Sequence, residues 1–306
     1  MVSLILIVPL KPINLSKDKK MKNIFVSGTS GAQGQAIATV LNREGYTVTG
    51  MSRSETSNDL NLKLKQGDLE KLVDVSSAME GCDAVILTLP LLFDATLVKT
   101  ITQNIVSAAK LNSISTIVFN SGIPLGDNKT GFAAIDVKHD ALEILDLSGL
   151  NIVTLMPTIY LDNLNSPFLR PIIDEHSIIP YPLAMDFEFS WISQENLGRF
   201  CLAALSDNKL HGKRIVISNR DKLSGNKLAN AISIVSKRKF TYVPSSFDEF
   251  ENNLKPVLGD FVAKEIANLY RGIDQHRADF FNEENQHLMS HVELQTTSDW
   301  AKEAKF

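Results

Sequence analysis

The stretch that decides the fold is Ile24-Phe25-Val26-Ser27-Gly28-Thr29-Ser30-Gly31-Ala32-Gln33-Gly34. Its first four residues are apolar or small, which suits a buried parallel strand, and glycines then recur at every third position. The residues that follow place Ala36, Ile37, Val40 and Leu41 on one stripe of a helix. A strand, a glycine-rich turn and a helix in this order are typical of dinucleotide-binding folds.

The spacing of the glycines has a chemical reason. The first allows a tight turn, a backbone without side chains lets a pyrophosphate approach, and the last allows close packing of the helix on the sheet. The helix N-terminus adds free N–H groups and a positive dipole end. The alternative is a tight turn without a ligand. We expect the pyrophosphate to lie on Gly28, Thr29, Ser30, Gly31, Ala32, Gln33 and Gly34.

Beyond this turn, short apolar strands alternate with amphipathic helices. Strands are predicted at 24–27, 47–51, 84–89, 116–120, 151–156 and 214–218. The alternation predicts an α/β fold, a doubly wound parallel (Rossmann) sheet with right-handed crossovers. Residues 162–190 hold four prolines and are predicted to be irregular.

These patterns predict three parts of the chain. Residues 21–160 and 191–220 form the NAD(P)-binding domain, and residues 161–190 with 221–306 form a smaller C-terminal α+β substrate-binding region. Residues 1–20 are interpreted as an N-terminal extension ahead of the working start codon, because the apolar run Val2–Leu10 is too short to span a membrane. A peripheral membrane anchor is the alternative for this segment.

Composition narrows the class of protein. The 306 residues carry 31 Lys+Arg against 35 Asp+Glu, a net charge of −4, which argues against a nucleic-acid partner. No stretch suits a membrane span, so no membrane partner is expected. The two cysteines, Cys82 and Cys201, fit reduced thiols in the cytoplasm. His287 and His291 have metal-ligand spacing but lack a neighbouring glutamate, so no metal is expected.

The end of the second predicted strand indicates the type of cofactor. An NAD enzyme often places an acid there, but this chain has Ser52-Arg53-Ser54. The Arg53 guanidinium can pair with a 2′-phosphate, and Ser52 can add a hydrogen bond. NADP(H) is therefore predicted over NAD(H). The alternative is that Arg53 is a solvated loop charge.

With these pieces in order, the chain resembles the NmrA-like family of atypical short-chain dehydrogenases/reductases from about Met21 to the C-terminus. The motifs that carry this resemblance, besides the glycine turn and Arg53, are Gln66-Gly67-Asp68-Leu69, Gly81-Cys82-Asp83-Ala84-Val85, Thr88-Leu89-Pro90, Lys138, Ser148-Gly149-Leu150-Asn151, the segment 155–163, Trp191-Ile192 and Leu197-Gly198.

The resemblance implies roles for individual residues. Asp68 and Leu69 lie beside the adenine, and Tyr160, Asn163 and Trp191 border the nicotinamide and substrate. Other cofactor-binding positions at the ends of later strands and on the following helix are Thr88, Leu89, Ser121, Lys138 and Pro157.

The usual short-chain dehydrogenase uses a Tyr-x-x-x-Lys pair, but Ala134 stands in the tyrosine position before Lys138. Alcohol–ketone chemistry is therefore disfavoured, whereas a quinone can collect its proton from water. Lys138 and Tyr160 are the candidate catalytic residues; a solvated lysine and a packed core tyrosine are the alternatives.

The resulting hypothesis is an NADPH-dependent reductase of quinones or similar flat electrophilic small molecules, acting by direct hydride transfer without metal or flavin. One alternative is a non-catalytic NAD(P)-binding redox sensor that acts through a protein partner. An epimerase or dehydratase is a third, disfavoured by the missing tyrosine. A homodimer is left open.

Overall fold

The computed structural model describes residues 21–54, 62–280 and 285–306. The predicted extension 1–20 lies outside the described residues. The strands are β1 Asn23–Val26, β2 Thr47–Ser52, β3 Lys63–Gln66, β4 Ala84–Thr88, β5 Thr116–Asn120, β6 Asn151–Pro157, β7 Ile178–Tyr181, β8 Phe189–Ser190, β9 Arg214–Ile217, β10 Lys222–Leu223 and β11 Thr241–Pro244.

Helices flank and connect these strands. They are α1 Ala32–Arg43, α2 Leu72–Ala78, α3 Ala95–Leu111, α4 Ala133–Asp146, α5 Arg170–His176, α6 Gln194–Ser206, α7 Gly225–Ser236, α8 Phe247–Gln275, α9 Arg277–Phe280 and α10 Thr297–Glu303, with short 3-10 helices at Leu161–Asn165, Asn208–Leu210 and Gln286–Met289. Within the described ranges, no helix has the length and apolar character needed to cross a membrane.

Seven strands form one parallel sheet in the order β3-β2-β1-β4-β5-β6-β9. Every residue of β4 and β5 is buried, as expected where helices cover both faces. The predicted doubly wound sheet is confirmed. The chain order reverses between β1 and β4, and in such sheets ligands bind outside the carboxyl ends of the strands at that point.

One serine, Ser27, hydrogen-bonds the end of β1 to the end of β4 at this reversal. The Ser27 hydroxyl donates to the Thr88 carbonyl at 2.8 Å and accepts from the Thr88 backbone N–H at 2.8 Å. Ser27 is fully buried, so both bonds are shielded from water. They fix the spacing between the glycine turn and the loop that follows β4.

The prediction that 162–190 is irregular was wrong. The segment contains a 3-10 helix, α5, β7 and β8. Pro171 stands in the first turn of α5, where a missing N–H costs nothing, and Pro180 lies in β7, which pairs only with β11. Pro171 therefore marks a helix start, and Pro180 marks an edge strand.

The C-terminal part supplies a long kinked helix. Helix α8 starts with a capping box between Ser246 and Glu249, and it bends at Gly259, which has a φ of 78°. The helical spacing of Val262, Ile266, Leu269 and Tyr270 predicts only its second half. Helix α8 packs on α4, and this contact brings C-terminal side chains to the carboxyl end of the sheet.

Candidate functional site

The glycine turn has the close contacts that its spacing predicts. Gly28 has a φ of +72°, and the Gly31 N–H donates to the Gly28 carbonyl at 2.9 Å. A Cβ on Gly34 would lie 2.2 Å from the Gly28 oxygen, so only glycine fits there. No side chain caps the N-terminus of α1. Its first N–H groups are therefore available to an anion such as a phosphate.

Thr29 contributes backbone to this turn and turns its side chain inward. It is 5% exposed, and its hydroxyl has no hydrogen-bond partner among the described residues. A Cβ on Gly50 would lie 2.3 Å from the Thr29 Oγ1 atom. Gly50 in β2 therefore makes room for Thr29, which packs beneath the turn.

A groove of about 180 Å³ runs from the glycine turn toward the end of β2. We call it the β2 groove. Asp68 is fixed in it by its backbone N–H, which donates to Asp74, and by its carboxylate, which accepts from the Glu70 N–H at 3.1 Å. Arg53 is exposed at the groove. The predicted cofactor residues that line the groove are Gly28, Ser30, Ser52, Arg53, Asp68 and Leu69.

A second cavity of about 260 Å³, the central cavity, lies at the carboxyl ends of β5 and β6. It shares Pro90 and Leu92 with the β2 groove, so the two spaces adjoin at the loop after β4. The predicted residues that line it are Gln33, Leu89, Ser121, Lys138, Tyr160 and Asn163. Helix α8 adds a wall that the sequence did not predict: Phe250, Ile266, Leu269, Tyr270 and Ile273.

Lys138 is the cation of the central cavity. It is half-buried, and burial lowers its pKa to about 8. In the described part of the chain, its amine has neither an ion pair nor a hydrogen bond. Ala134 lies one turn earlier on α4 and contributes a methyl group to the same wall. The structure thus presents an unpaired amine with no neighbouring tyrosine at that turn.

Asn120, at the end of β5, was missed by the sequence analysis. Its Nδ2 donates to the Gln33 Oε1 atom at 2.8 Å, and its Oδ1 accepts from the Gly122 N–H at 3.1 Å. It therefore links the glycine turn to the central cavity. A polar residue closing a fully buried strand was the available signal.

The hydroxyls of Ser121 and Tyr160 differ in their availability. Ser121 is buried and directs its hydroxyl to the backbone carbonyls of Ile123 and Leu155, at 2.5 and 3.2 Å. Tyr160 is 5% exposed, and burial raises its pKa well above the usual range. Tyr160 therefore stays protonated at neutral pH.

Asn163 is part of a polar cluster with two residues that the sequence analysis did not select. Its Nδ2 donates to the hydroxyls of Tyr181 and Tyr270 at 3.0 and 3.3 Å, and those hydroxyls lie 2.5 Å apart. The tyrosines come from β7 and α8, so no local pattern places them together. Trp191 packs edge-on against Tyr181 with ring centroids 5.3 Å apart, and it does not line the cavity.

Other predicted residues support the two spaces without lining them. Pro157 ends β6, and Thr88 ends β4 with its Oγ1 atom 3.4 Å from the Asn120 amide. The remaining turn residues form the backbone beneath the grooves. The full set is Thr29, Gly31, Ala32, Gly34, Thr88, Pro157 and Trp191.

Metal-ligating side chains do not gather at this site. Across residues 21–54, 62–280 and 285–306, no group of three His, Cys, Asp or Glu residues could hold a metal ion. His287 lies in a 3-10 helix that ends at Met289, so it does not share an α-helical face with His291. Cys82 and Cys201 are both buried free thiols.

The sheet, its reversal point and the glycine turn together define a dinucleotide-binding Rossmann fold. The chain belongs to the NmrA-like family, whose model matches residues 20–301. A curated relative, sterol-4-alpha-carboxylate 3-dehydrogenase (decarboxylating) of Dictyostelium discoideum, is 39% identical over 70 residues, which are 22% of this chain and 21% of the relative. The match thus spans about a fifth of that relative.

Solved structures resemble nearly the whole chain. The triphenylmethane reductase of Citrobacter sp., complexed with NADP(H), is 18% identical with a TM-score of 0.73, covering 92% of this chain and 99% of that one. The NADPH-dependent quinone oxidoreductase of Escherichia coli, complexed with NADPH, is 18% identical with a TM-score of 0.71 and the same coverage, 92% and 99%. The TM-scores, at these low identities, show that this chain shares the fold of the two reductases.

Proposed function

We propose that this protein is an NADPH-dependent reductase of quinones or similar flat electrophilic small molecules. The observation that carries the proposal is the pair of spaces that adjoin at the loop after β4. One is lined by the glycine turn and Arg53, and the other is largely apolar with a single unpaired amine, Lys138. The names of the two reductases with the same fold support this reading.

The chain offers fitting partners for each part of the dinucleotide. The N–H groups of the turn 28–34 suit the pyrophosphate, and the clearance that Gly28 and Gly34 provide keeps the approach open. Arg53 and Ser52 suit a 2′-phosphate, and Asp68 with Leu69 suits the adenine side. When bound, the reduced nicotinamide supplies a hydride. The remaining partners on the nicotinamide side would be Thr88, Leu89, Ser121, Lys138 and Pro157.

The protein's own part in the reaction is to orient the acceptor and stabilise charge. Apolar side chains of α8 exclude water from the central cavity. The Lys138 ammonium stabilises negative charge that develops on the acceptor. Tyr160, kept protonated by burial, is the candidate proton donor within reach of the cavity. An acceptor that takes its proton from water needs no further acid.

The proposal assigns a function to each part of the chain. Residues 21–160 and 191–220 bind the dinucleotide, and residues 161–190 with 221–306 shape the substrate side. The free thiols of Cys82 and Cys201 fit a reducing compartment such as the cytoplasm.

The decisive experiment is a titration of the purified protein with NADPH and NADH, comparing wild type, Arg53→Ala and Lys110→Ala. We expect NADPH to bind more tightly than NADH. Arg53→Ala should weaken NADPH binding about 10- to 100-fold, the value of charge-assisted hydrogen bonds, and leave NADH binding unchanged. Lys110 is exposed at the far end of α3, so its removal should change neither. If neither NADPH nor NADH binds, the proposal is refuted.

Reduction itself is tested with NADPH deuterated at C4 and a panel of quinones. Transfer of the label to the acceptor, with one NADPH consumed per acceptor, is the expected result. A protein that binds NADPH and reduces no member of the panel would instead favour the redox-sensor function. The observation that favours that second candidate is Ala134 on the cavity wall. A sensor predicts different protease digestion with and without dinucleotide.

A further inference from the structure

Three polar side chains form a closed cluster on the wall of the central cavity. Asn163, Tyr181 and Tyr270 contact one another pairwise, at 3.0 and 3.3 Å from the amide nitrogen to the hydroxyls and 2.5 Å between the hydroxyls. Tyr181 is 0% exposed and Tyr270 is 6% exposed. A donor left without a partner in such a place is costly, because bulk water does not reach it.

The cluster holds one donor hydrogen more than it can use. The amide has two donor hydrogens and each hydroxyl has one, so four donors serve three contacts. If the amide oxygen and nitrogen are exchanged, the two hydroxyl hydrogens serve the contacts and the two amide hydrogens are left over, so a surplus still remains. Among the described residues, no other acceptor is hydrogen-bonded to these three groups.

Both hydroxyls keep their protons at neutral pH. Burial raises the pKa of Tyr270 to about 12 and that of Tyr181 well above its usual range. The cluster is therefore a permanent donor beside an otherwise apolar wall, which includes Phe250 and Leu269.

We infer that the Asn163–Tyr181–Tyr270 cluster donates a hydrogen bond to a carbonyl oxygen of the bound acceptor, so that this cavity is selective for carbonyl compounds such as quinones and enones. The inference rests on the proposed reductase function. On gaining a hydride, the acceptor is reduced by two electrons, its carbonyl oxygen becomes anionic, and this oxygen then takes a proton from water. The donated bond strengthens as that charge develops.

The substitution Asn163→Asp tests this with almost no change in shape. An ionised carboxylate has no donor and accepts from both tyrosines, whereas a protonated one has a single donor, which the three contacts consume. The surplus is lost in either state. We expect kcat/KM for a benzoquinone to fall about 10- to 100-fold. For a triphenylmethyl cation dye without a carbonyl group, kcat/KM should not fall.

Asn165→Asp is the matched control. Asn165 is exposed outside the central cavity, and its Oδ1 accepts from Arg170 at 2.9 Å. This substitution adds the same charge two residues away, and both acceptors should be reduced as by wild type.

Several outcomes would overturn the inference. If kcat/KM in Asn163→Asp fell equally for the quinone and for the dye, Asn163 would have only a structural role. Unchanged quinone reduction would show that the cluster does not contact the oxygen. Reduction of the dye but not of quinones by wild type would leave the reductase proposal intact and contradict the carbonyl selectivity.

Two further measurements test the cluster without relying on turnover. If wild type reduces neither acceptor, the proposed function fails, and calorimetry of quinone binding in the presence of NADP⁺ decides the inference: weaker binding by Asn163→Asp supports it and equal binding overturns it. If Asn163→Asp does not fold, infrared spectra of a ¹³C-carbonyl quinone on wild type and on Lys138→Met decide it. A shift of the carbonyl stretch to lower wavenumber that persists in Lys138→Met supports it, whereas an unshifted band, or a shift that is lost in Lys138→Met, overturns it.

Discussion

Lys138 carries its charge at a half-buried site, where burial disfavours the charged amine. Its amine faces the central cavity among apolar side chains, and burial without a partner lowers its pKa to about 8 from the usual value of 10.5. The unfolded chain therefore binds more protons than the folded protein between these two pH values, so Lys138 makes stability rise with pH across that window. Below pH 8 the charged amine destabilises the fold.

Lys138→Met removes this cost and should raise the melting temperature at pH 7. A gain of about 1 kcal/mol corresponds to about 2–4 °C in a large domain. The difference from wild type should shrink as the pH rises from 8 toward 10.5, and reductase activity should fall in the variant. Lys110→Met, at an exposed position, serves as the control and should show no such pH dependence. A less stable Lys138→Met protein at pH 7 would contradict the argument.

At the scale of elements, the glycine turn combines a folding requirement and a binding requirement that two alanine substitutions separate. On Gly34 a methyl group would lie 2.2 Å from the Gly28 oxygen, so α1 must move away from the turn. On Gly31 it would lie 3.5 Å from the same oxygen, an ordinary contact, in the turn where we propose that the pyrophosphate binds.

We expect Gly34→Ala to lower the free energy of unfolding by about 1–3 kcal/mol and to weaken NADPH binding with it. Gly31→Ala should keep the wild-type melting temperature and lose affinity for NADPH alone. Thermal unfolding and dinucleotide titration of both variants check this. Equal affinity in Gly31→Ala and wild type would mean that the phosphate does not approach the turn there.

Strands that contain an apolar run could be predicted from the sequence. β5 was predicted at its observed bounds, Thr116–Asn120, because both of its faces are buried. β3, at Lys63–Gln66, was missed because an edge strand with exposed polar residues has no such run. The family resemblance, together with the rule that ligands lie at the carboxyl ends of parallel strands, led to Ser121, Tyr160 and Asn163, all of which line the central cavity.

The rest of the site depends on how distant elements meet. Tyr181 and Tyr270 lie 89 residues apart in sequence, yet their hydroxyls are in contact. Nothing in the local pattern around either tyrosine specifies that contact. It follows from the docking of α8 and β7 beside the sheet, which is a property of tertiary packing.

At the scale of the whole molecule, the central cavity exists because α8 packs closely on α4. Gly272 allows this approach: a Cβ there would lie 2.6 Å from the Ile135 Cδ1 atom and 2.9 Å from the Phe132 ring. Its neighbours Tyr270 and Ile273 line the cavity, as do Ala134 and Lys138 on the facing helix. A larger residue at 272 must therefore separate the two walls.

Gly272→Val should raise KM for the acceptor several-fold and lower the free energy of unfolding by about 1–3 kcal/mol, because overpacking pushes α8 outward. The dissociation constant for NADPH should stay near wild type, since no residue of α8 lines the β2 groove. Gly198→Ala is the matched control: its Cβ would lie 2.6 Å from Val40 at the α1–α6 contact, so it destabilises the fold away from the cavity. A rise in acceptor KM in both variants would indicate general loosening, whereas a rise in Gly272→Val alone would show that the α4–α8 contact sets the width of the substrate site.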